Sequence, residues 1–110
     1  MLVLNKNELV ELFKRGLGLS NIDKSKSIAI LKNIYSDPLI VNAAIEAAEF
    51  IGVYLYIVEV IEWTDNGHYK NMIVYNNNGQ VLNGYNIGQS ILESVDLVFE
   101  TLEFANDGIN

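Results

Sequence analysis

The sequence of 110 residues contains no cysteine, a single histidine and a single proline. Without cysteine the chain forms no disulfide, thiol nucleophile or thiolate metal site, and we predict a cytoplasmic location, where disulfides are rare. His68 falls in a predicted turn and has no neighbours that would make it a metal ligand or a general base. No segment approaches the roughly 18 consecutive apolar residues of a membrane helix. We therefore predict no catalytic residue, no metal, no cofactor and no membrane partner.

Positive charge is nearly missing from the later two-thirds of the chain. Residues 1–35 carry six of the seven basic side chains and three acids, whereas residues 36–110 carry one base, Lys70, and eleven acids. The two parts therefore have formal charges of +3 and −10, and the whole chain has −7. A surface of that sign attracts basic partners and repels nucleic acid, so we predict no direct nucleic-acid binding.

The first half of the sequence predicts three helices. Asn7 is the expected N-cap of the first helix, which would end before Gly16. A second helix is predicted over residues 20–35, because apolar residues recur there at steps of three and four. The third helix is expected to begin at Pro38, after a cap at Asp37, and to end at Gly52.

The middle of the sequence predicts three antiparallel strands, over residues 53–64, 69–75 and 80–85. These segments are rich in β-branched and aromatic residues, and Asn-Gly pairs at 66–67 and 78–79 favour tight hairpin turns between them. A two-residue turn at 66–67 would pair Trp63 with Lys70. Both faces of this meander would then be apolar. The second face must therefore meet a helix of the same chain, a second copy or another protein.

The last part of the sequence predicts one amphipathic helix, capped by Asn86 with Gln89 completing a capping box. Its apolar stripe consists of Ile91, Val95, Val98 and Leu102. Acidic residues recur on the opposite side at Glu93, Asp96, Glu100 and Glu103. No base lies among these acids to relieve their repulsion.

The acidic side of this helix and the predicted sheet supply the candidate partner-binding residues. Tryptophan is enriched at the energetic centres of protein interfaces, and two acids precede Trp63 on its strand. The predicted set is Glu93, Asp96, Glu100, Glu103, Glu59, Glu62 and Trp63. A solvated helix face and ordinary core packing are the alternative interpretations of these residues.

These patterns predict a single α+β domain over residues 1–110: three N-terminal helices, a three-stranded antiparallel β-meander and a C-terminal amphipathic helix. The charge predicts a non-enzymatic inhibitor that blocks a basic surface of a larger protein, such as a nucleic-acid-handling complex. A phage-encoded or mobile-element-encoded anti-defence protein of the anti-CRISPR kind is one form, and an immunity protein that neutralises a toxin is another. The alternative is a homodimeric accessory or regulatory domain that buries its free sheet face against a second copy.

Overall fold

The structure, a computed structural model, describes residues 4–63 and 69–103, with the backbone alone at Trp63. In chain order its elements are α1 (Lys6–Leu19), β1 (Ser27–Lys32), α2 (Pro38–Ile51), β2 (Tyr54–Trp63), β3 (Tyr69–Tyr75), β4 (Val81–Leu82), α3 (Ile87–Ser94) and β5 (Leu97–Glu100). The turn predicted at 66–67 lies outside the described residues. Within those residues, no helix has both the length and the hydrophobicity needed to cross a membrane.

The strands form one mixed, five-stranded sheet in the order β4-β3-β2-β1-β5. β1 runs parallel to both of its neighbours, β2 and β5, whereas β3 is antiparallel to β2 and β4 is antiparallel to β3. β1, α2 and β2 therefore make a βαβ unit, in which a helix connects two parallel strands.

Helices cover both faces of the sheet around β1. Ile28 and Ile30 pack with residues of α1 and α2 on one face, and Ala29 and Leu31 pack with residues of α3 on the other. The sequence predicted that the second apolar face of the sheet needs a partner. Helices of the same chain cover that face around β1 and also around β2. This layering is typical of α/β folds with parallel strands.

The prediction of a second helix over residues 20–35 is wrong. Its central part is strand β1, in which the four residues Ile28, Ala29, Ile30 and Leu31 are all buried. A short apolar run with helix-like spacing does not distinguish a buried helix from a parallel strand that is buried on both faces. The run belongs to a strand because layers of helices lie on both sides of it.

The predicted three-stranded meander, and with it the predicted fold class, is also wrong. β2, β3 and β4 are antiparallel neighbours, but they are only part of a sheet that β1 and β5 extend. The register differs as well: Trp63 pairs with Tyr69, and register shifts flank Glu62. The two shifts cancel, so that Val60 pairs with Met72 and Trp63 with Tyr69 in one register, a single residue away from the register expected from a two-residue turn.

The C-terminal helix is much shorter than predicted. α3 ends at Ser94, and the chain continues as strand β5 alongside β1. The backbone N–H of Asp96 donates to Ser27 O at 2.8 Å, and the N–H of Thr101 donates to Leu31 O at 2.8 Å. A buried central strand needs partners on both edges for its backbone groups, and β5 supplies the second edge.

The helix predicted after Asp37 is present. In α2 the Asp37 carboxylate accepts a hydrogen bond from the N–H of Leu39 at 2.9 Å, and Gly52 ends the helix with a φ of 83°. The caps of the other two helices differ from the prediction. α1 is capped by Asn5 in a capping box with Glu8, and Asn86 caps α3 without a side-chain hydrogen bond.

The position of the α1 cap can be tested with two asparagine variants. Asn5→Ala removes the acceptor of the Glu8 N–H, a 2.9 Å hydrogen bond, and should lower the free energy of unfolding by about 1 kcal/mol. Asn7→Ala, at the cap predicted from the sequence, should leave it unchanged or raise it slightly. Urea denaturation followed by circular dichroism measures both. Equal losses in the two variants would contradict the assignment of Asn5.

The contact between α3 and the sheet can be tested at Gly88. A Cβ at Gly88 would lie 2.8 Å from Met72 Cε and 3.0 Å from its Cβ, whereas a Cβ at Gly16 in α1 meets nothing within 4 Å. Overpacking costs about 1–3 kcal/mol, and removing a glycine from a helix returns at most about 1 kcal/mol. Gly88→Ala should therefore lower the free energy of unfolding by about 1 kcal/mol, while Gly16→Ala raises it by about 0.5 kcal/mol. The same sign for both variants in chemical denaturation would refute this packing.

Candidate functional site

The carboxyl ends of β1 and β5 meet at one edge of the sheet. Leu31 and Glu100 are register partners near the ends of these parallel strands, and the loops that follow lie next to each other. In open α/β sheets, ligands bind in the crevice outside the carboxyl ends of parallel strands. We call the segments 33–37 and 101–103 the carboxyl edge, and they are the first place to look for a site.

A dense hydrogen-bond cluster ties these two segments together. Asn33 and Ser36 are the buried polar residues of the described part of the chain. The side chain of Asn33 donates from Nδ2 to Glu103 O at 2.6 Å and accepts at Oδ1 from the Tyr35 N–H at 3.1 Å. Ser36 Oγ donates to Thr101 O at 2.7 Å. The loop after β1 is therefore joined to the loop after β5 through side chains as well as through the sheet.

Two large apolar side chains are exposed on the loop after β1, which these hydrogen bonds hold in place. Ile34 is 74% exposed and Tyr35 is 52% exposed, although buried residues lie on both sides of them. Exposed apolar residues held on an ordered loop are typical of surfaces that contact a ligand or another protein.

A cleft of about 370 Å³ opens beside the end of β5. Its apolar wall includes Phe13 and Phe99, whose rings meet edge to face with centroids 5.1 Å apart. Asp37, Glu100 and Glu103 are also among its lining residues. The side chain of Glu100 points away from Phe99 to the other face of the sheet, where Glu100 raises the pKa of Tyr69 after the larger effect of burial. The ion pairs found among the described residues, Lys6–Glu46, Lys14–Glu11 and Lys70–Glu62, leave these three acids without a cation. We call this feature the β5 cleft.

A larger cleft of about 640 Å³ lies between α2 and strands β2 and β3. Lys32 and Glu59, which are register partners on adjacent strands, both line it. The Tyr75 hydroxyl donates to Glu59 Oε1 at 3.4 Å. Burial, and then the negative charge of Glu59, raise the pKa of Tyr75 above its ordinary value.

The four acids predicted to share a helix face are separated in the structure. Glu93 lies on α3, where it accepts a hydrogen bond from Gln89 Nε2 at 2.8 Å. Asp96 lies at the start of β5 and accepts from the Ser27 N–H at 2.8 Å, which gives it a structural role. Glu100 ends β5, with its side chain on the sheet face of Leu31 and Tyr69, and Glu103 follows in the segment after the strand. The prediction of an acidic stripe along one helix is wrong, because α3 ends before three of the four acids.

The predicted residues on the sheet are also separated. Glu59 lines the larger cleft, and Glu62 forms an exposed ion pair with Lys70 at 3.7 Å. The side chain of Trp63 lies outside the described residues. The partner-binding role proposed for all seven residues stays a prediction.

Sequence reasoning missed the residues at the centre of the carboxyl edge: Asn33, Ser36 and Thr101. A signal was present, because Asn33 follows the apolar run of β1 after a single residue, Lys32. Reading that run as a parallel strand would have placed Asn33 at a carboxyl end, where sites form. Reading it as a helix hid this position.

The described residues do not assemble a metal centre. Among residues 4–63 and 69–103, no group of three or more His, Cys, Asp and Glu side chains is placed to hold a metal ion. The whole sequence has a single histidine. Sites of the two-histidine, one-carboxylate type therefore cannot be built from one copy of this chain.

The importance of the hydrogen-bond cluster can be tested at Asn33. Asn33→Ala removes the donor to Glu103 O and the acceptor of the Tyr35 N–H from a buried position, so the free energy of unfolding should fall by about 2 kcal/mol. Asn42→Ala, at an exposed position of α2, is the matched control and should change it by less than about 0.5 kcal/mol. Thermal and urea unfolding measure both variants. A loss at Asn33 no larger than that at Asn42 would show that the cluster contributes little.

Three comparisons relate the chain to known proteins. The family model described as "NicX: 2,5-dihydroxypyridine 5,6-dioxygenase" matches residues 8–106. The 2,5-dihydroxypyridine 5,6-dioxygenase of Pseudomonas putida KT2440 is 36% identical over 95 residues, which are 86% of this chain and 27% of that protein. The solved structure of a 2,5-dihydroxypyridine dioxygenase from the same strain superposes with a TM-score of 0.67 and 30% identity, over 94% of this chain and 30% of that one.

The predicted function is therefore wrong. The matches are to an enzyme family of oxidoreductases, not to inhibitors of the anti-CRISPR or immunity kind, to non-enzymatic proteins or to a regulatory domain. The chain spans less than a third of the length of the relatives it matches. Because the family model covers residues 8–106, the chain belongs to the NicX family of 2,5-dihydroxypyridine 5,6-dioxygenases.

Proposed function

We propose that this chain forms one part of a dioxygenase that acts on 2,5-dihydroxypyridine or a closely related hydroxylated N-heterocycle. The observation that supports the proposal is the family match over residues 8–106, together with a shared fold over 94% of the chain. A relative that is 36% identical indicates more than a common architecture, because proteins with unrelated functions often share a fold at much lower identity.

A dioxygenase needs a group that activates dioxygen, and this chain does not supply such a group by itself. Dioxygen reacts with organic rings through a metal or an organic cofactor that transfers electrons one at a time. Non-haem iron in oxygenases is commonly held by two histidines and one carboxylate. One histidine and no cysteine in the sequence do not fit that donor set. The proposal therefore places the residues that activate dioxygen outside this chain.

The part assigned to this chain is structural and positional. The cluster around Asn33 and Thr101 fixes the two loops of the carboxyl edge relative to each other. A catalytic crevice needs walls that hold their geometry within a fraction of an ångström. In this proposal the carboxyl edge forms such a wall, facing residues that the rest of the enzyme contributes.

Other features of the protein stay predictions. The cytoplasmic location inferred from the lack of cysteine belongs to this proposal, as does a single domain over residues 1–110. The partner with a basic surface and the second copy, both predicted from the charge and the sheet, are equally untested.

A chimera tests the proposed function. In the P. putida dioxygenase, the segment that matches this chain is replaced by residues 8–106 of this chain. We expect the chimera to consume 2,5-dihydroxypyridine and dioxygen together, because the wall of the site is conserved in fold. Loss of the ring's ultraviolet absorbance and oxygen uptake at an electrode give two independent readings.

Two controls make the chimera informative. The chain of residues 1–110 alone, supplied with Fe²⁺, 2,5-dihydroxypyridine and air, should show no turnover above the metal-only background. The same chimera with Asn33→Ala should lose most of its activity, whereas Asn42→Ala should retain it. A chimera that folds cooperatively and yet consumes no substrate would refute the assignment, as would turnover by the isolated chain.

A further inference from the structure

We propose that the cleft between α2 and strands β2 and β3 binds an α-amino acid with an apolar side chain, its carboxylate at Lys32 and its ammonium group at Glu59. We call this opening of about 640 Å³ the α2 cleft. It plays no part in the proposed dioxygenase activity, which concerns the carboxyl edge. The inference therefore goes beyond that activity and stands or falls independently of it.

The alternation of side chains along the strands brings two opposite charges into the α2 cleft. The register partners Ile30 and Ile57 pack in the core beneath α2. Side chains two positions further along each strand point to the same face, so Lys32 and Glu59 point there as well. The hydrogen bond from the Tyr75 hydroxyl agrees with this position of Glu59, because Tyr75 is the register partner of Ile57.

The protein does not neutralise these two charges. The ion pairs within residues 4–63 and 69–103 include neither Lys32 nor Glu59, although both residues are half-buried. A charge that has lost part of its water and gained no counter-ion is unfavourable. The Tyr75 hydroxyl engages one oxygen of Glu59 in a long hydrogen bond of 3.4 Å. A ligand that carries both charges would supply both missing partners through charge-assisted hydrogen bonds.

The arrangement of the charges selects the class of ligand. A simple anion at Lys32 would be repelled by Glu59, and a simple cation at Glu59 would be repelled by Lys32. A zwitterion avoids both repulsions. In an α-amino acid the carboxylate and the ammonium group are attached to one carbon atom, a spacing that suits side chains on adjacent strands about 4.8 Å apart.

The rest of the α2 cleft has an apolar lining. Leu55 and Ile57 of β2 form its floor, and Ile45 of α2 forms the facing wall. The volume of the cleft falls within the range of small-molecule sites, roughly 300–1,000 Å³. An aliphatic side chain that lies on this surface is removed from water, which favours leucine, isoleucine or valine over polar amino acids.

The turn after β3 closes the other end of the cleft with an ordered wall. Asn77 Oδ1 accepts from the Leu55 N–H at 2.6 Å and so joins the turn to the start of β2. Within the turn, Asn76 Oδ1 accepts from the N–H groups of Asn78 and Gln80 at 2.9 and 3.0 Å. Because these bonds hold the wall in place without a ligand, binding requires little further ordering of the chain.

One further acid lines the α2 cleft, and it lies away from Lys32. Glu49 is eight residues beyond Val41 along α2, a distance of about 12 Å by the rise of a helix. Lys32 ends β1 and is near the end of the cleft where α2 begins. A separation of about 12 Å exceeds the Debye length of about 8 Å at physiological ionic strength, so the repulsion of the bound carboxylate by Glu49 is weak.

A titration of the chain of residues 1–110 with L-leucine tests the proposal. In two-dimensional NMR spectra of the ¹⁵N-labelled chain, the amide signals of residues 55–59 and 75–79 should shift and saturate, with a dissociation constant on the order of 1 mM. Two analogues test the need for both charges: 4-methylpentanoate lacks the ammonium group, and 3-methylbutylamine lacks the carboxylate. Each should bind at least about tenfold more weakly than leucine. Equal affinity for 4-methylpentanoate, or no saturable shift with leucine, would overturn the proposal.

Charge-neutralising variants test the two residues. Lys32→Gln and Glu59→Gln should each weaken leucine binding at least about tenfold, because each removes one of the two charges. The matched controls are Lys70→Gln and Glu62→Gln, which remove the same charges from an exposed ion pair outside the α2 cleft. The controls should change the affinity by less than about twofold.

The variant series has two outcomes that contradict the proposal. Unchanged affinity in both cleft variants would show that Lys32 and Glu59 do not hold leucine. Equal losses in the control variants would show that net charge, and not the cleft, governs binding. Urea denaturation reports whether each variant folds, and if a cleft variant does not, the comparison of leucine with its two analogues on the unsubstituted chain decides. None of these measurements uses 2,5-dihydroxypyridine, so their outcome is separate from that of the chimera.

Discussion

The burial of β1 on both faces and both edges is the constraint on which the rest of the structure depends. Ile30 is completely buried, and its neighbours Ile28, Ala29 and Leu31 are no more than 3% exposed. Truncating a side chain such as Ile30 typically costs 2–5 kcal/mol, a large share of the stability of a small domain. To bury this strand the chain must supply helices above and below it and a parallel strand on each side. α1, α2 and α3, with β2 and β5, do this.

That constraint also explains how much of the fold could be predicted from the sequence. α2 was predictable, because Asp37, Pro38 and Gly52 are local signals and act within one helix. The three antiparallel strands β2 to β4 were predictable as elements for the same reason. β1 and β5 were not, since each is a strand only because it pairs with a segment far away in the chain, Ser27 with Asp96 for example. Local spacing fitted a helix in both places, and tertiary pairing overrode it.

The same incorrect assignment of β1 and β5 to helices prevented prediction of the candidate site. Glu100 and Glu103 were predicted from charge as part of a helical stripe, but they lie at the end of strand β5 and after it. Asn33 could have been placed at a carboxyl end only by reading the apolar run before it as a parallel strand, and its hydrogen bonds to the loop after β5 are recognised only when both loops are known to meet. Charge alone led to the prediction of a basic partner. It could not report that the chain belongs to an enzyme family, because the donor set that marks a dioxygenase is not in this sequence.

Among the strands of residues 4–63 and 69–103, β5 is at the edge of the sheet and pairs with β1 alone. Exposed strand edges are templates for uncontrolled association, and proteins protect them with short strands and charged residues. β5 has only four residues and stands between Asp96 and Glu100, in a chain of net charge −7. Two copies approaching edge to edge would bring like charges together at both ends of the ladder. The acids at the two ends of β5 therefore act as gatekeepers against amyloid-like stacking.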